Sequence, residues 1–245
     1  MSATVILGLL FTLAATFVSM ALLVRTGFGR VARAITLVPA PLVLYCLWMS
    51  AWFAFEILRQ FLLTSISPTT GLRLVAFIFL VAALLLVGFV YSCLSVVDQL
   101  LGSAASRRVR RVGRVVAPAF VALLIMGWSG YHFNGDAALL TLLRRILGYT
   151  AFPLALAAWV WLLIGARGVT DAAWRARVIS LSRAYVALFA VVAFASAVRD
   201  RLAAVTPPLP LIVDVALVLA YTLITVLWVE SVERGARPSS GALKP

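Results

Sequence analysis

Long apolar runs separated by short, arginine-bearing stretches dominate this chain. Seven runs reach or approach the about 20 residues that a helix needs to cross the hydrocarbon core of a bilayer. The sixth run contains Arg183 and the seventh contains Asp214, so these two are the least uniform. The pattern predicts membrane-spanning helices over about 3–24, 34–56, 73–97, 115–134, 146–166, 178–198 and 209–230.

Helices are favoured over strands because the runs are long and lack the alternating polar positions of membrane barrels. A single segment inside hydrocarbon can satisfy its own backbone hydrogen bonds only as a helix. The predicted fold class is therefore all-α: a polytopic integral membrane protein built as one bundle of seven transmembrane helices. This single domain covers residues 1–234, and residues 235–245, rich in Gly, Pro and Ser, form a flexible cytoplasmic tail.

The composition agrees with this pattern and excludes a water-soluble globule. Of the 245 residues, 64% are hydrophobic and 12% are charged, whereas soluble domains run nearer 45–50% apolar and about 25% charged. The mean hydropathy is +1.11. The first run lacks a basic start, is longer than a signal-peptide core and is followed by Arg25, so we expect a retained helix rather than a signal peptide.

The distribution of positive charge predicts the orientation. Fifteen Lys and Arg residues fall in the odd-numbered loops, at their edges or in the tail, and six fall in the even-numbered loops. By the positive-inside rule, the odd loops lie in the cytoplasm, the N-terminus lies outside and the C-terminus lies inside. The expected location is the inner membrane of a bacterial cell.

The net charge of +13 indicates contact with anionic lipid headgroups rather than with nucleic acid, because the basic residues lie in short loops at the membrane surface. No direct nucleic-acid binding is expected. Other membrane proteins and a separate cytoplasmic output protein are candidate partners. The predicted basic surface for lipid or partner contact consists of Arg107, Arg108, Arg110, Arg111 and Arg114.

Several kinds of cofactor chemistry lack the residues they need. No predicted span contains the lysine that a retinal Schiff base requires. Haem, copper and di-iron centres draw several ligands from facing helices, and His132 is the single histidine of the chain. Cys46 and Cys93 lie in separate apolar runs without metal-site spacing. The sequence therefore predicts no cofactor and no metal.

One short motif resembles the GxSG signature of rhomboid proteases. It runs from Gly127 to Gly130, and Ser129, His132 and Asp136 have the spacing to share one helix face. Rhomboids take their base histidine from a different helix, which this chain cannot supply. The interpretation we favour is an amphipathic, interfacial end of the fourth helix, and we expect no enzymatic activity.

Ionisable residues inside or at the ends of membrane helices are costly and often functional. The predicted topology places several of them at the outer helix ends, where they could converge on an outward-facing polar pocket. These candidate ligand-binding residues are Asp214, Glu56, Arg59, His132 and Arg199. The alternative is local ion pairing that fixes helix packing, with Glu56 next to Arg59, and Asp214 next to Arg199 or Arg201.

Three stretches carry a resemblance to a known class of protein. These are Trp52-Phe-Ala-Phe-Glu56, the arginine-rich joint from Arg167 to Arg177, and the proline-rich entry into the last helix with the polar tail after Val229. They resemble the seven-transmembrane sensor modules of bacterial histidine kinases and LuxR-type regulators. In that class an output domain follows the last helix, so the resemblance implies a separate output protein here.

The function predicted from the sequence is a non-enzymatic, sensor- or receptor-like seven-helix module that binds a ligand or partner at its outer helix ends. The alternative is a non-catalytic subunit of a larger membrane complex, whose helices pack against partner helices. A small transporter is the third choice, because the sequence shows no internal repeat and no charged residue at the middle of a span.

Overall fold

The computed structural model describes residues 37–65, 68–101, 137–205 and 209–236, together with scattered positions between 10 and 21 and between 111 and 128. The scattered positions are all helical. Five long helices make up the continuous part. They are α1 (Ala40–Ser65), α2 (Pro68–Leu101), α3 (Ala137–Gly165), α4 (Ala172–Val205) and α5 (Leu209–Ala236), and a 3-10 turn at Ala166–Gly168 follows α3.

Four helices in the described ranges are long and apolar enough to cross a membrane. Their apolar stretches are Phe77–Leu101, Tyr149–Gly168, Ala172–Val198 and Ile212–Val232, and a shorter apolar stretch covers Ala40–Trp52. No strand occurs among these residues. The prediction of an all-helical, multi-pass membrane protein is thus confirmed at this level. The predicted spans at 3–24 and 115–134 fall mostly outside the described residues.

The helices are longer than the apolar runs that predict them. The third predicted span, 73–97, lies within a helix that begins at Pro68, and the sixth, 178–198, lies within one that begins at Ala172. The predicted bounds mark the apolar residues, which stop at the edge of the hydrocarbon. A helix can extend past that edge, because it ends only where the backbone N–H and C=O groups no longer find hydrogen-bond partners within it. The connections are correspondingly shorter than the sequence suggests.

Each of the five helices packs against the next one in the chain. The last helix, α5, also contacts the first, α1, along a short seam. Each contributes at least one ring to a connected aromatic cluster at the centre. Tyr45 of α1 has its ring centroid 5.6 Å from that of Phe89 on α2 and 5.8 Å from that of Tyr221 on α5. The cluster consists of Tyr45, Trp48, Trp52, Phe89, Phe152, Trp159, Tyr185, Phe189 and Tyr221.

The outer surface of the described helices is apolar too, as a lipid solvent requires. Large side chains such as Phe77, Phe194 and Leu223 are more than half exposed. Hydroxyl groups bond back to their own helix: Ser182 Oγ donates to the carbonyl of Val178 at 2.6 Å. Seven other Ser or Thr side chains in the described ranges donate in the same way to a carbonyl three or four residues earlier. This arrangement satisfies polar groups where water is absent.

The start of α4 is fixed by a capping residue. Asp171 Oδ1 accepts hydrogen bonds from the backbone N–H groups of Ala173 at 2.9 Å and Trp174 at 3.1 Å. Its own carbonyl accepts the first bond of the helix, from Arg175 at 2.8 Å. A carboxylate at this position satisfies two backbone donors and lies at the positive end of the helix dipole.

We expect Asp171→Ala to lower the free energy of unfolding by about 1 kcal/mol, because it leaves the two N–H groups without an acceptor. Asp171→Asn is the matched control, since an asparagine side chain caps nearly as well. Unfolding of the purified protein in mild detergent, followed by circular dichroism, measures both. Equal stability of the alanine variant and the wild type would show that the cap contributes nothing.

Candidate functional site

A small cavity lies at the seam between α1 and α5, and α3 and α4 complete its wall. Its volume is about 30 Å³ and it is partly open, which leaves room for one or two water-sized groups. Three aromatic side chains line it, Tyr45 and Trp48 from α1 and Phe152 from α3. Ser196 on α4 and Asp214 on α5 are the polar aliphatic residues of the described lining.

Asp214 is the charged residue among the described side chains that line this cavity. It lies just over one helical turn after Leu209, the first residue of α5, and its side chain is only 7% exposed. The sequence predicts a helix start at the same place, after the proline pair at 207 and 208. An acidic side chain this deeply buried in an apolar bundle is costly unless the surroundings compensate its charge.

The aromatic part of the wall is held by mutual ring contacts. The Tyr45 and Trp48 centroids lie 5.7 Å apart, and both rings contact Phe152, at 6.4 and 5.4 Å. Trp52 stacks on Trp48 at 6.5 Å, one turn further along α1. The described part of the lining therefore combines one carboxylate with three touching rings.

Of the five candidate ligand-binding residues, only Asp214 has a described side chain. The backbones of Glu56 and Arg59 belong to α1 and that of Arg199 belongs to α4, while their side chains lie outside the described part. His132 lies wholly outside it. The convergence of these residues on Asp214, as a pocket or as ion pairs, therefore stays a prediction.

The basic surface predicted for lipid or partner contact is described only at Arg111, which is helical and exposed. Arg107, Arg108, Arg110 and Arg114 lie outside the described residues. Among the described residues, no group of three or more His, Cys, Asp or Glu side chains is placed to hold a metal ion. The Asp214 cavity is thus the site on which functional reasoning can be based.

The sequence reasoning missed the aromatic wall. Tyr45, Trp48 and Trp52 have i, i+3, i+7 spacing, which puts them on one face of a helix. That spacing was visible, but a stripe of this kind in a membrane helix more often faces lipid or core than a ligand. Phe152 carries no local signal at all, because only the fold brings it to α1.

Deeper in the bundle, polar groups join α4 to α5. The Tyr185 hydroxyl lies 2.7 Å from Thr225 Oγ1, and Thr225 donates in turn to the carbonyl of Tyr221 at 2.8 Å. Further along, the Trp228 indole N–H donates to the carbonyl of Arg177 at 2.9 Å. Both contacts connect the same two helices, so α4 and α5 are held in one register.

Two buried polar atoms next to this network lack hydrogen-bond partners within the described structure: the Tyr221 hydroxyl and the Trp159 indole nitrogen. Tyr221 is 1% exposed and Trp159 is not exposed at all. The Tyr185 ring touches both, at centroid distances of 5.1 and 4.5 Å. Their rings are held by packing rather than by hydrogen bonds.

Two matched substitutions separate ring packing from hydrogen bonding. Tyr185→Phe removes a buried hydrogen bond between helices, and we expect it to cost about 0.5–1.5 kcal/mol of unfolding free energy. Tyr221→Phe keeps the ring and removes a hydroxyl without a described partner, so we expect a change near zero or a slight gain in stability. Unfolding of both variants in the same detergent measures the difference. Equal losses would show that the Tyr221 hydroxyl is bonded in the membrane.

No protein-family model, curated protein or solved structure matches this chain.

Proposed function

We propose that this chain is a non-enzymatic, sensor- or receptor-like module of the bacterial inner membrane, and that it binds a small ligand in the Asp214 cavity. One observation carries the proposal: a buried carboxylate borders a partly open cavity whose wall is shared by four helices. A ligand bound there would contact all four helices at once. Ligand sites are lined mostly by apolar and aromatic side chains with a few placed polar groups, and the described lining of this small cavity has that composition.

The helix that carries Asp214 also offers a route across the bundle. Trp228 lies 14 residues after Asp214 on α5, a distance of about 21 Å at 1.5 Å per residue. Between them, α5 is tied to α4 through Thr225 and Tyr185, and at the far end through Trp228 and the carbonyl of Arg177. A shift of α5 at the cavity would therefore move the far ends of both helices together.

The proposal includes seven spans, with the N-terminus outside and the C-terminus in the cytoplasm. In this orientation the cavity lies in the outer half of the bundle, and the Trp228 contact lies at the cytoplasmic side. A signal would enter near Asp214 and leave at the ends of α4 and α5, where a separate output protein could read it. The charge distribution between loops supports this orientation.

Hydrogen exchange tests the coupling without knowledge of the ligand. In lipid nanodiscs, we expect Asp214→Asn to raise exchange at residues 172–178 and 228–236 by roughly fivefold, the low end of ordinary coupling between sites. The physical reason is that loss of the charge repositions the start of α5, and the ties to α4 transmit the change. Mass spectrometry of the exchanged protein gives the measurement.

Ile212→Ala is the matched control for this experiment. Ile212 is two residues from Asp214 on the same helix but 60% exposed, on the lipid side, so its truncation should leave the far ends unchanged. The proposal fails if Asp214→Asn exchanges like the wild type at both far ends. Unchanged exchange with loss of a fixed-stoichiometry partner would instead favour a subunit of a larger complex.

Thiol labelling tests the orientation. The native Cys46 and Cys93 are fully buried, so they should not react with a membrane-impermeant maleimide. We expect Ser2→Cys to label in intact spheroplasts and Thr170→Cys, at an exposed position between α3 and α4, to label only after the membrane is opened. Labelling of both positions from the same side would overturn the orientation.

A further inference from the structure

We propose that the lipid-facing side of α4 binds one anionic phospholipid, whose phosphate group is held by Arg183 and Ser180. The site is separate from the Asp214 cavity, so this inference goes beyond the proposed function and does not depend on it. Three features of α4 support it: an exposed arginine inside an apolar stretch, a hydroxyl next to it on the same face, and a row of small side chains that continues this face.

Arg183 is a charged residue on the exposed side of a membrane-spanning helix. The apolar stretch of α4 covers Ala172–Val198, and the apolar run predicted from the sequence begins at 178. Arg183 lies five residues past that start, which is about 7.5 Å at 1.5 Å per residue. Its guanidinium forms no hydrogen bond or ion pair within the described part of the chain. A charged group at this depth is costly unless it reaches the headgroup region or meets an acceptor.

The helix geometry allows this side chain to reach the headgroups. Side chains of an α-helix tilt towards its N-terminus and lie over the preceding turn, and the N-terminal end of α4 is the end nearer to Arg183. Ser180 and Ala176, three and seven residues earlier, occupy the same face and are exposed and small. They leave the path along the helix open, so a long basic side chain at position 183 can extend to the edge of the hydrocarbon.

Ser180 adds a second hydrogen-bonding group to this face. Eight other Ser and Thr hydroxyls in the described ranges donate to their own helix backbone. The Ser180 hydroxyl forms no hydrogen bond to any part of the described structure. A guanidinium and a hydroxyl about one turn apart suit the oxygens of one phosphate group, because arginine binds phosphate through paired, charge-assisted hydrogen bonds.

The charge around the site favours an anionic lipid over a zwitterionic one. Residues 166–183 contain four arginines and one carboxylate, Asp171, and Oδ1 of that carboxylate caps α4. None of the four guanidinium groups has a hydrogen-bond or ion-pair partner among the described residues. The ammonium group of a choline or ethanolamine lipid would bring another positive charge into this stretch, whereas phosphatidylglycerol brings a net negative one.

The rest of the face suits an acyl chain, which favours a lipid over a free phosphate ion. Ala187 and Ala190 are exposed at four and seven residues past Arg183, and the exposed ring of Phe194 follows them. The distance from Arg183 to Phe194 along the helix is about 16.5 Å, close to half of the roughly 30 Å thickness of the hydrocarbon core. By contrast, α5 exposes large side chains such as Leu223 to the lipid.

Native mass spectrometry of the full-length protein in detergent tests the site. The probe is phosphatidylglycerol, titrated in 0.5 M ammonium acetate so that diffuse attraction between surface charges is screened. We expect one phosphatidylglycerol molecule to bind saturably. Neither phosphatidylcholine with the same acyl chains nor inorganic phosphate should displace it. Arg183→Gln should weaken phosphatidylglycerol binding at least about tenfold, because hydrogen bonds between charged groups are lost.

Two pairs of variants separate the site from general attraction to lipid. Arg167→Gln removes the same charge from the exposed turn between α3 and α4, and should bind phosphatidylglycerol like the wild type at this ionic strength. Ala190→Leu fills part of the acyl path without a change of charge and should weaken binding. Ala216→Leu, the same substitution on the exposed side of α5, should not. The alanine pair keeps the test decisive if Arg183→Gln folds poorly.

Several results would overturn the inference. If Arg183→Gln binds as tightly as the wild type, or loses no more affinity than Arg167→Gln, the lipid does not bind at Arg183. Displacement by inorganic phosphate would show that the site takes a free anion. A dimer that carries no phosphatidylglycerol and dissociates in Ala190→Leu would show that a second copy of the chain covers this face. None of these results bears on the Asp214 cavity, which the hydrogen-exchange experiment tests by itself.

Discussion

Ring-to-ring packing at the centre of the bundle is the interaction on which the rest of this structure depends. In a bilayer the lipid tails are as apolar as the helix surfaces, so helices gain little from hiding apolar area from water and associate through close packing and specific contacts. The cluster supplies such contacts in every direction. Tyr45 is its hub, because its ring touches partners on α1, α2, α3 and α5. Through Tyr45 and Tyr221, the cluster bridges the short seam where α1 and α5 meet.

The same seam explains why the cavity forms where it does. Elsewhere in the described bundle, neighbouring helices pack over long stretches, and hydroxyl groups turn back onto their own backbone. Helices α1 and α5 contact each other over a short stretch only. Beside that stretch, the rings of Tyr45, Trp48 and Phe152 form part of the cavity wall and leave the space between the helices unfilled. The charged side chain of Asp214 lies at this gap, with only 7% of its surface exposed. The rings that hold the bundle together thus also line the cavity.

How much of this could be predicted from the sequence depends on whether the signal is local. The apolar runs reveal the helical membrane character, and an ionisable residue inside such a run singles out Asp214. The sequence also carries a signal for the start of α4, since an aspartate followed by an apolar helical stretch is an N-cap pattern. A prediction based on hydrophobicity alone does not use this signal. The wall opposite Asp214 could not be found this way. Phe152 is 62 residues distant from Asp214 in sequence, and one sequence does not reveal which helix faces come together.

The hydrogen bond that joins α4 to α5 at Trp228 has a consequence for which substitutions the two positions tolerate during evolution. Its acceptor is the main-chain carbonyl of Arg177, not the guanidinium, and every amino acid offers that oxygen. Position 177 is therefore free to vary during evolution as far as this contact is concerned, whereas position 228 must keep an indole or lose the bond. Trp174, whose ring lies 6.1 Å from that of Trp228, adds a second reason for a bulky aromatic there. Among descendants of this chain, tolerance to substitution should be strongly unequal between the two partners of one hydrogen bond.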